Sequence, residues 1–188
     1  MPASASSRRI STIIRGRATV TEVTITPLPA APLHAFEIWS DPQAVAARFK
    51  AAKGFPLPAM GQSASQDGLT LIRFEPTVWL IEGDPEGLDA VLGEDGALTA
   101  IGGGIVRVRV SGPGWRRLLM EGGVFDAESA AFAPGCSAAT VIDHVNIRLH
   151  VASAETCIVY VPASFSQDII QFWSDAGARQ VMRCGASD

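Results

Sequence analysis

Residues that usually announce chemistry are scarce in this chain. It has three cysteines, Cys136, Cys157 and Cys184, and no CxxC pair, which excludes the common zinc and dithiol redox motifs. Inert thiols in a reducing compartment are the simplest reading of an odd, scattered set. Lysine is nearly missing, 2 residues against 13 arginines, a bias that suits interface cores, where arginine is enriched and lysine depleted. A net charge of −4 leaves no cationic surplus for phosphate backbones. One tyrosine and 7% aromatic residues do not make a base-stacking platform. No nucleic-acid partner is therefore expected. No run reaches the roughly 18 apolar residues of a membrane helix, so no membrane partner is expected either.

What is present is apolar bulk. Of 188 residues 47% are hydrophobic and only 18% charged, enough for one domain or two small subdomains sharing a core. Such a composition predicts apolar surface left over to meet other protein. The first 20 residues carry Arg8, Arg9, Arg15 and Arg17 without an acid and lack the apolar centre of a secretory signal. Residues 1–17 read as a flexible or docking arm in preference to a transit peptide, because Gly16 and the β-branched residues interrupt any amphipathic helix.

Periodicity then sets the element order. A β-branched strand is predicted at about 18–26, followed by a Pro27, Pro29, Pro32 loop and a second strand from His34 to Trp39. Asp41 caps a helix with Pro42 at its first position, Val45 and Phe49 inward and Gly54 past its end. Strands Leu69–Phe74 and Val78–Glu82 surround Glu75-Pro76-Thr77, and Asp84-Pro85 opens a helix with the stripe Leu88, Val91, Leu92 before Gly93. Strands near Ala97–Ile101 and Ile105–Val110 flank Gly102-Gly103-Gly104, read as a hairpin turn that uses the freedom of glycine at positive φ. Ser111-Gly112-Pro113 starts a third helix with Trp115, Leu118 and Leu119 inward, ending at Gly122. After a connection over 123–138, Val141, Val145, Ile147, Leu149 and Val151 alternate along one long strand, with Asp143 the exception. Thr156–Val161 is nearly all apolar, which suits a strand inside a sheet. Ser164 and Gln167 have capping-box spacing, and Phe165, Ile169, Phe172, Trp173 and Ala176 form one helical face that Gly177 ends.

Four strand–strand–helix units in succession predict helices packed on antiparallel sheets, an α+β fold. The domain is expected over 18–178, in halves of about 18–93 and 97–178, with a tail at 179–188.

No catalytic, cofactor-binding or metal site emerges from these residues. Gly102-Gly103-Gly104 has no helix directly after it, as a phosphate loop would. Pro113 removes one of the backbone donors that Ser111-Gly112-Pro113-Gly114 could offer an anion. His144 and His150 are placed on one polar strand face with Asn146 and Arg148, solvated or covered by a partner, and lie roughly 20 Å apart, too far for one metal; His34 stands apart. Asp143 faces away from His144. Ser164 and Ser166 read as caps, and Glu121, Asp126, Glu128 and Glu155 are scattered through turns and helix ends. Trp39, Trp79, Trp115 and Trp173 lie on apolar faces and are expected in the core, one or two serving as interface anchors.

The order and spacing of residues 55–176 resemble the gamma subunit of heterotetrameric sarcosine oxidase. Ser111-Gly112-Pro113 matches that family's Ser-Gly-Pro, Leu118, Leu119 and Gly122 its paired leucines and glycine, and Asp126, Phe132, Pro134-Gly135 and Thr140 the segment that follows. Ala163-Ser164-Phe165-Ser166 and Trp173 stand where the family has Arg-Ser-Phe-Ala before a Trp-bearing helix, and Pro76 with Trp79-Leu80-Ile81 matches its Pro-x-x-Trp-Leu-Leu strand. Departures from the pattern include Glu75 for glycine, Ala127 for leucine and Ala163 for arginine.

The resemblance implies a duplicated, strand-swapped fold related to the folate-binding domain of aminomethyltransferase. It implies a noncatalytic subunit, no enzyme on its own, in a cytoplasmic complex with alpha, beta and delta subunits. That complex demethylates sarcosine to glycine, forming hydrogen peroxide and methylene-tetrahydrofolate. FAD, FMN, NAD, tetrahydrofolate and zinc are then expected in the partner subunits and none in this chain. Two alternatives stay open: a gamma-like subunit of another N-methyl amine oxidase or dehydrogenase, and a small stand-alone folate-binding protein of the aminomethyltransferase type.

Overall fold

The computed structural model describes residues 23–185, with side chains as far as residue 177. The arm at 1–17, the start of the expected first strand at 18–22, the Cys184 side chain and the last three residues lie outside the described part. Among the described residues the chain runs β1 (Thr24–Pro27), β2 (Leu33–Ile38), α1 (Pro42–Lys53), β3 (Ser63–Gln66), β4 (Leu69–Arg73), β5 (Val78–Glu82) and α2 (Leu88–Leu92). It continues β6 (Gly96–Ala100), β7 (Ile105–Ser111), α3 (Trp115–Met120), β8 (Ser137–Ile142), β9 (Val145–Ser153), β10 (Thr156–Pro162) and α4 (Ser166–Gly185).

The strands form two antiparallel sheets of mixed parentage, ordered β1-β7-β10-β9-β8 and β3-β4-β5-β2-β6. β1 sits in the sheet of the later strands, and β6 in the sheet of the earlier ones. Burial follows the period of two along each strand. On β10, Cys157, Val159 and Val161 join Trp115, Leu118, Ile169 and Trp173 beneath α3 and α4. On β5, Trp79 and Ile81 join Val45, Phe49 and Leu88 beneath α1 and α2. The residues between, Tyr160 and Leu80, meet Leu33, Ile72 and Phe74 where the sheets face each other. Both faces of the central strands are covered, which is why Thr156–Val161 reads as a continuous apolar run. Three cores take up most of the apolar bulk; Trp39, Met60, Val124, Val141 and Phe165 are the large hydrophobic residues left exposed among those described.

α1 is built as its sequence predicts. The Asp41 carboxylate accepts the Ala44 N–H at 3.0 Å, Pro42 opens the helix, and Gly54 closes it at φ 81°. α2 is shorter than the Asp84-Pro85 signal indicates. Asp84 accepts the Glu86 N–H in a turn, and the helix begins only after Gly87 at φ 76°. The third helix starts at Trp115, because Ser111 still belongs to β7 and Gly112, at φ 101°, turns the chain.

Other expectations are corrected. The second and fourth units each contain a third strand, β3 and β8. β3 escaped notice because Ser63-Ala64-Ser65-Gln66 has no apolar alternation. β8 is hidden in the sequence because the apolar alternation from Val141 to Val151 suggests one strand. The chain instead reverses at Asp143 and His144, with φ 45° and 65°, a two-residue loop that needs positive φ twice. The reversal buries Ile142 and leaves Val141 37% exposed, and His144 shares no strand face with His150.

Gly102–Gly104 is one 3-10 turn carrying the chain from one sheet to the other, not a hairpin, and none of the three glycines has positive φ. A Cβ on Gly102 would lie 3.0 Å from the Ala31 carbonyl, so close backbone approach is what requires glycine there. α4 continues through Gly177 to Gly185, into the segment expected to be a tail. It begins at Ser166 after a 3-10 turn over Ala163–Phe165, and the Ser166 hydroxyl donates to the Ala163 carbonyl. Phe165 belongs to that turn, out of phase with the helix, and is 47% exposed while Ile169, Trp173 and Ala176 are sealed. Trp39 is 61% exposed, its indole N–H donating to the Glu94 carbonyl.

Candidate functional site

Polar side chains converge where the two sheets meet. Tyr160 reaches across from β10 and donates to Glu82 of β5 at 2.8 Å. Glu82 also pairs with Arg107 of β7, whose other nitrogen donates to the Pro29 carbonyl. A buried tyrosine needs such a partner, and burial raises its phenol above the ordinary range. Toward the β8–β9 edge, the Glu75 carboxylate holds Arg148 at 2.6 Å, and the Arg148 guanidinium stands 5.9 Å from the Phe74 ring centre.

Beside this pair opens a cleft of about 530 Å³, walled by Ile105, Val141, Asn146, Arg148, Tyr160 and Glu75. Its volume is within the range of small-molecule sites. A second polar crossing closes one end of the interface. Ser63 Oγ lies 2.9 Å from His150 Nε2 and donates to the Gly135 carbonyl at 3.0 Å, and Ser137 Oγ donates to the Arg73 carbonyl.

Ser63 and His150 have the spacing of a nucleophile and its base. The hydroxyl is shared between the Gly135 carbonyl and the His150 ring, and the contact links β3 of one sheet to β9 of the other. Burial lowers the tendency of His150 to take a proton. Burial also pushes the Cys157 thiol up to about 12, which keeps it protonated and unreactive near neutral pH.

The histidines weighed from the sequence are not brought together. His34 is on β2, His144 in a turn, and only His150 reaches the interface. Its face is covered by the chain's own second sheet, a third possibility beside solvent or partner. Asp126 accepts the Glu128 and Ser129 N–H groups in a local turn. Ala163 opens the 3-10 turn before α4. Among the described residues no group of three His, Cys, Asp or Glu side chains is placed to hold a metal, and no helix is long and apolar enough to cross a membrane. Sequence reasoning missed Ser63, Glu75, Glu82, Arg107 and Tyr160 as a convergent set. The one legible signal was the lone tyrosine inside an apolar strand.

By sequence, neither a family profile nor a curated protein matches the chain. By structure, it superimposes on a chain of heterotetrameric sarcosine oxidase from Corynebacterium sp. U-96, solved in complex with pyrrole 2-carboxylate, with a TM-score of 0.77 over 87% of this chain and 88% of that one. The chain shares its fold with a sarcosine oxidase chain. Identity over the match is 19%, so the likeness is one of fold. Glycine cleavage system aminomethyltransferase T from Bartonella henselae is more distant, with a TM-score of 0.52, 14% identity and 78% of this chain covered. This chain spans 44% of that protein's length. The resemblance drawn from Ser111–Ala176 and Pro76–Ile81 thus agrees with the fold.

Proposed function

We propose that the chain is the noncatalytic gamma subunit of a heterotetrameric sarcosine oxidase in the cytoplasm. In this reading it assembles with alpha, beta and delta subunits that carry FAD, FMN, NAD, tetrahydrofolate and zinc. The complex demethylates sarcosine to glycine, releasing hydrogen peroxide and methylene-tetrahydrofolate. The observation that carries the reading is the mutual coverage of 87% and 88% with a sarcosine oxidase chain at a TM-score of 0.77. The contact of Ser63 with His150 joins strands of the two sheets, which suits a structural role. We read the fold as duplicated and strand-swapped, in halves of about 18–93 and 97–178. The place of β1 among β7–β10, and of β6 among β2–β5, supports this.

Co-expression with candidate alpha, beta and delta subunits tests the proposal. The expected result is one complex containing this chain, with sarcosine-dependent peroxide formation, and failed assembly when the chain is omitted. Tight tetrahydrofolate binding by the isolated chain would overturn the reading in favour of a stand-alone folate protein. A flavoprotein complex oxidising a different N-methyl amine would keep the structural role and change the substrate.

A further inference from the structure

The Glu75–Arg148 pair borders two voids. One is the cleft of about 530 Å³, and the other is a small cavity of about 30 Å³ that the same two residues share with Phe74 and Leu80. The pair joins the turn between β4 and β5 to β9 at 2.6 Å, with the Arg148 side chain 37% exposed and that of Glu75 45%. An ion pair this exposed contributes little to stability, so holding the sheets together does not account for it. The sarcosine oxidase gamma pattern has glycine where this chain has Glu75, so the subunit reading does not account for the carboxylate either. One guanidinium nitrogen and one carboxylate oxygen make the bond. Among the described residues no other hydrogen bond engages either charged group, which leaves several N–H donors and one oxygen to offer.

The rest of the cleft decides what these groups can receive. Asn146 is exposed and lies two residues before Arg148, on the same face of β9. Ile105, Val141 and Pro162 add apolar wall. Arg148 and Glu75 are the charged residues of the lining, so the cleft carries no net charge at neutral pH. A simple anion would be repelled by Glu75, and a simple cation by Arg148. A ligand bearing both charges satisfies both groups without breaking their bond. Because the two groups touch, the charges of the ligand must also lie close together. A carboxylate and an ammonium on one carbon meet that condition. The end of a peptide does not, since each terminus carries one charge and the other lies at the far end of the chain.

We propose that the cleft binds a free α-amino acid with an apolar side chain. The carboxylate takes the remaining donors of Arg148 together with the Asn146 amide. The ammonium donates to the second oxygen of Glu75, and the side chain lies along Ile105, Val141 and Pro162. Apolar walls with a few converging polar groups are the usual build of a small-molecule site. The inference does not depend on the subunit reading, and either can fail without the other.

Equilibrium dialysis of the full chain against L-leucine tests the proposal, and saturable uptake of one leucine per chain is expected. Three analogues dissect the recognition. Isocaproate lacks the ammonium, isoamylamine lacks the carboxylate, and ε-aminocaproate holds its two charges far apart. Each should bind roughly tenfold or more weakly than leucine, as should leucine to the Glu75→Gln and Arg148→Gln variants. Both variants should melt, without ligand, within a few degrees of the parent. Amide spectra of the parent chain are the second measurement: leucine should shift Gly104, Asn146 and Arg148. Absence of saturable uptake at millimolar leucine, equal uptake of any of the three analogues, or undiminished uptake by both variants overturns the proposal. Shifts confined to residues outside the cleft overturn it as well. If a variant fails to fold, the analogue series and the spectra of the parent decide. None of these outcomes bears on assembly with other subunits, which the co-expression experiment reads separately.

Discussion

The two sealed tryptophans differ in one hydrogen bond. Trp115 donates its indole N–H to the Ala154 carbonyl at 3.0 Å, whereas Trp173 Nε1 is buried with no acceptor among the described residues. Trp115→Phe should therefore cost about 1 kcal/mol more than Trp173→Phe, since it breaks a made bond and leaves a carbonyl unpaired; urea denaturation of both variants would show the difference. Buried titrating groups set the pH dependence. His150 has a lowered pKa in the fold, from burial, so the unfolded chain takes up the proton first. Stability is then complete above pH 6.5 and declines as pH falls below it. Cys157 moves the opposite way, from 9.0 to about 12; the unfolded thiol ionises first, so stability declines as pH rises past 9, by at most about 1.4 kcal/mol per pH unit from this group. Urea midpoints taken from pH 5 to pH 11 should be highest between these limits, and His150→Asn should flatten the acid side.

At the scale of elements, the β8–β9 turn is the most improvable feature. Asp143 and His144 both occupy the left-handed region, which Asn-Gly fills at lower conformational cost. Replacing the pair by Asn-Gly should stabilise the chain by about 0.5–1 kcal/mol, read as a higher melting temperature. Gly96 marks the opposite case. A Cβ there would drive into the Glu37 carbonyl and the Leu92 side chain, so Gly96→Ala should push β6 off β2 and destabilise the fold by at least 2 kcal/mol. α1 was legible to the residue because Asp41, Pro42 and Gly54 act locally. β3 was not, because a polar edge strand owes its state to hydrogen bonds with Leu69–Ile72 and not to any pattern of its own. The glycine trio was misjudged for a related reason. Whether Gly102–Gly104 closes a hairpin or crosses between sheets depends on which strand lies beside β6, and that strand is β2.

For the whole molecule, the exchanged strands tie the sheets into one cooperative unit. Removing residues beyond 93 strips β6 from β2 and exposes Leu33, Ile72 and Leu80, while removing those before it strips β1 from β7 and exposes Tyr160. Fragments 1–93 and 94–188 expressed separately should each lack cooperative unfolding, and co-expression should restore one transition, as judged by circular dichroism melts. The Tyr160–Glu82–Arg107 crossing belongs to this scale too. Tyr160→Phe should leave Glu82 short of a donor and cost about 1–3 kcal/mol, with no shift in the loops outside the interface.

The sequence by itself determined the α+β class, the inner faces of α1 and β10, the burial of three of the four tryptophans, and a pattern of turns and caps that matched the right fold. All of these rest on neighbours within a few residues, where capping, φ preference and periodicity act directly. Tertiary structure alone decided which sheet β1 and β6 enter and which polar groups meet across the interface. Those outcomes depend on pairings between residues such as Ser63 and His150 or Glu82 and Tyr160, 87 and 78 positions apart. A contact at that separation is set by the packing of sheets against one another, and no local preference of either residue encodes it.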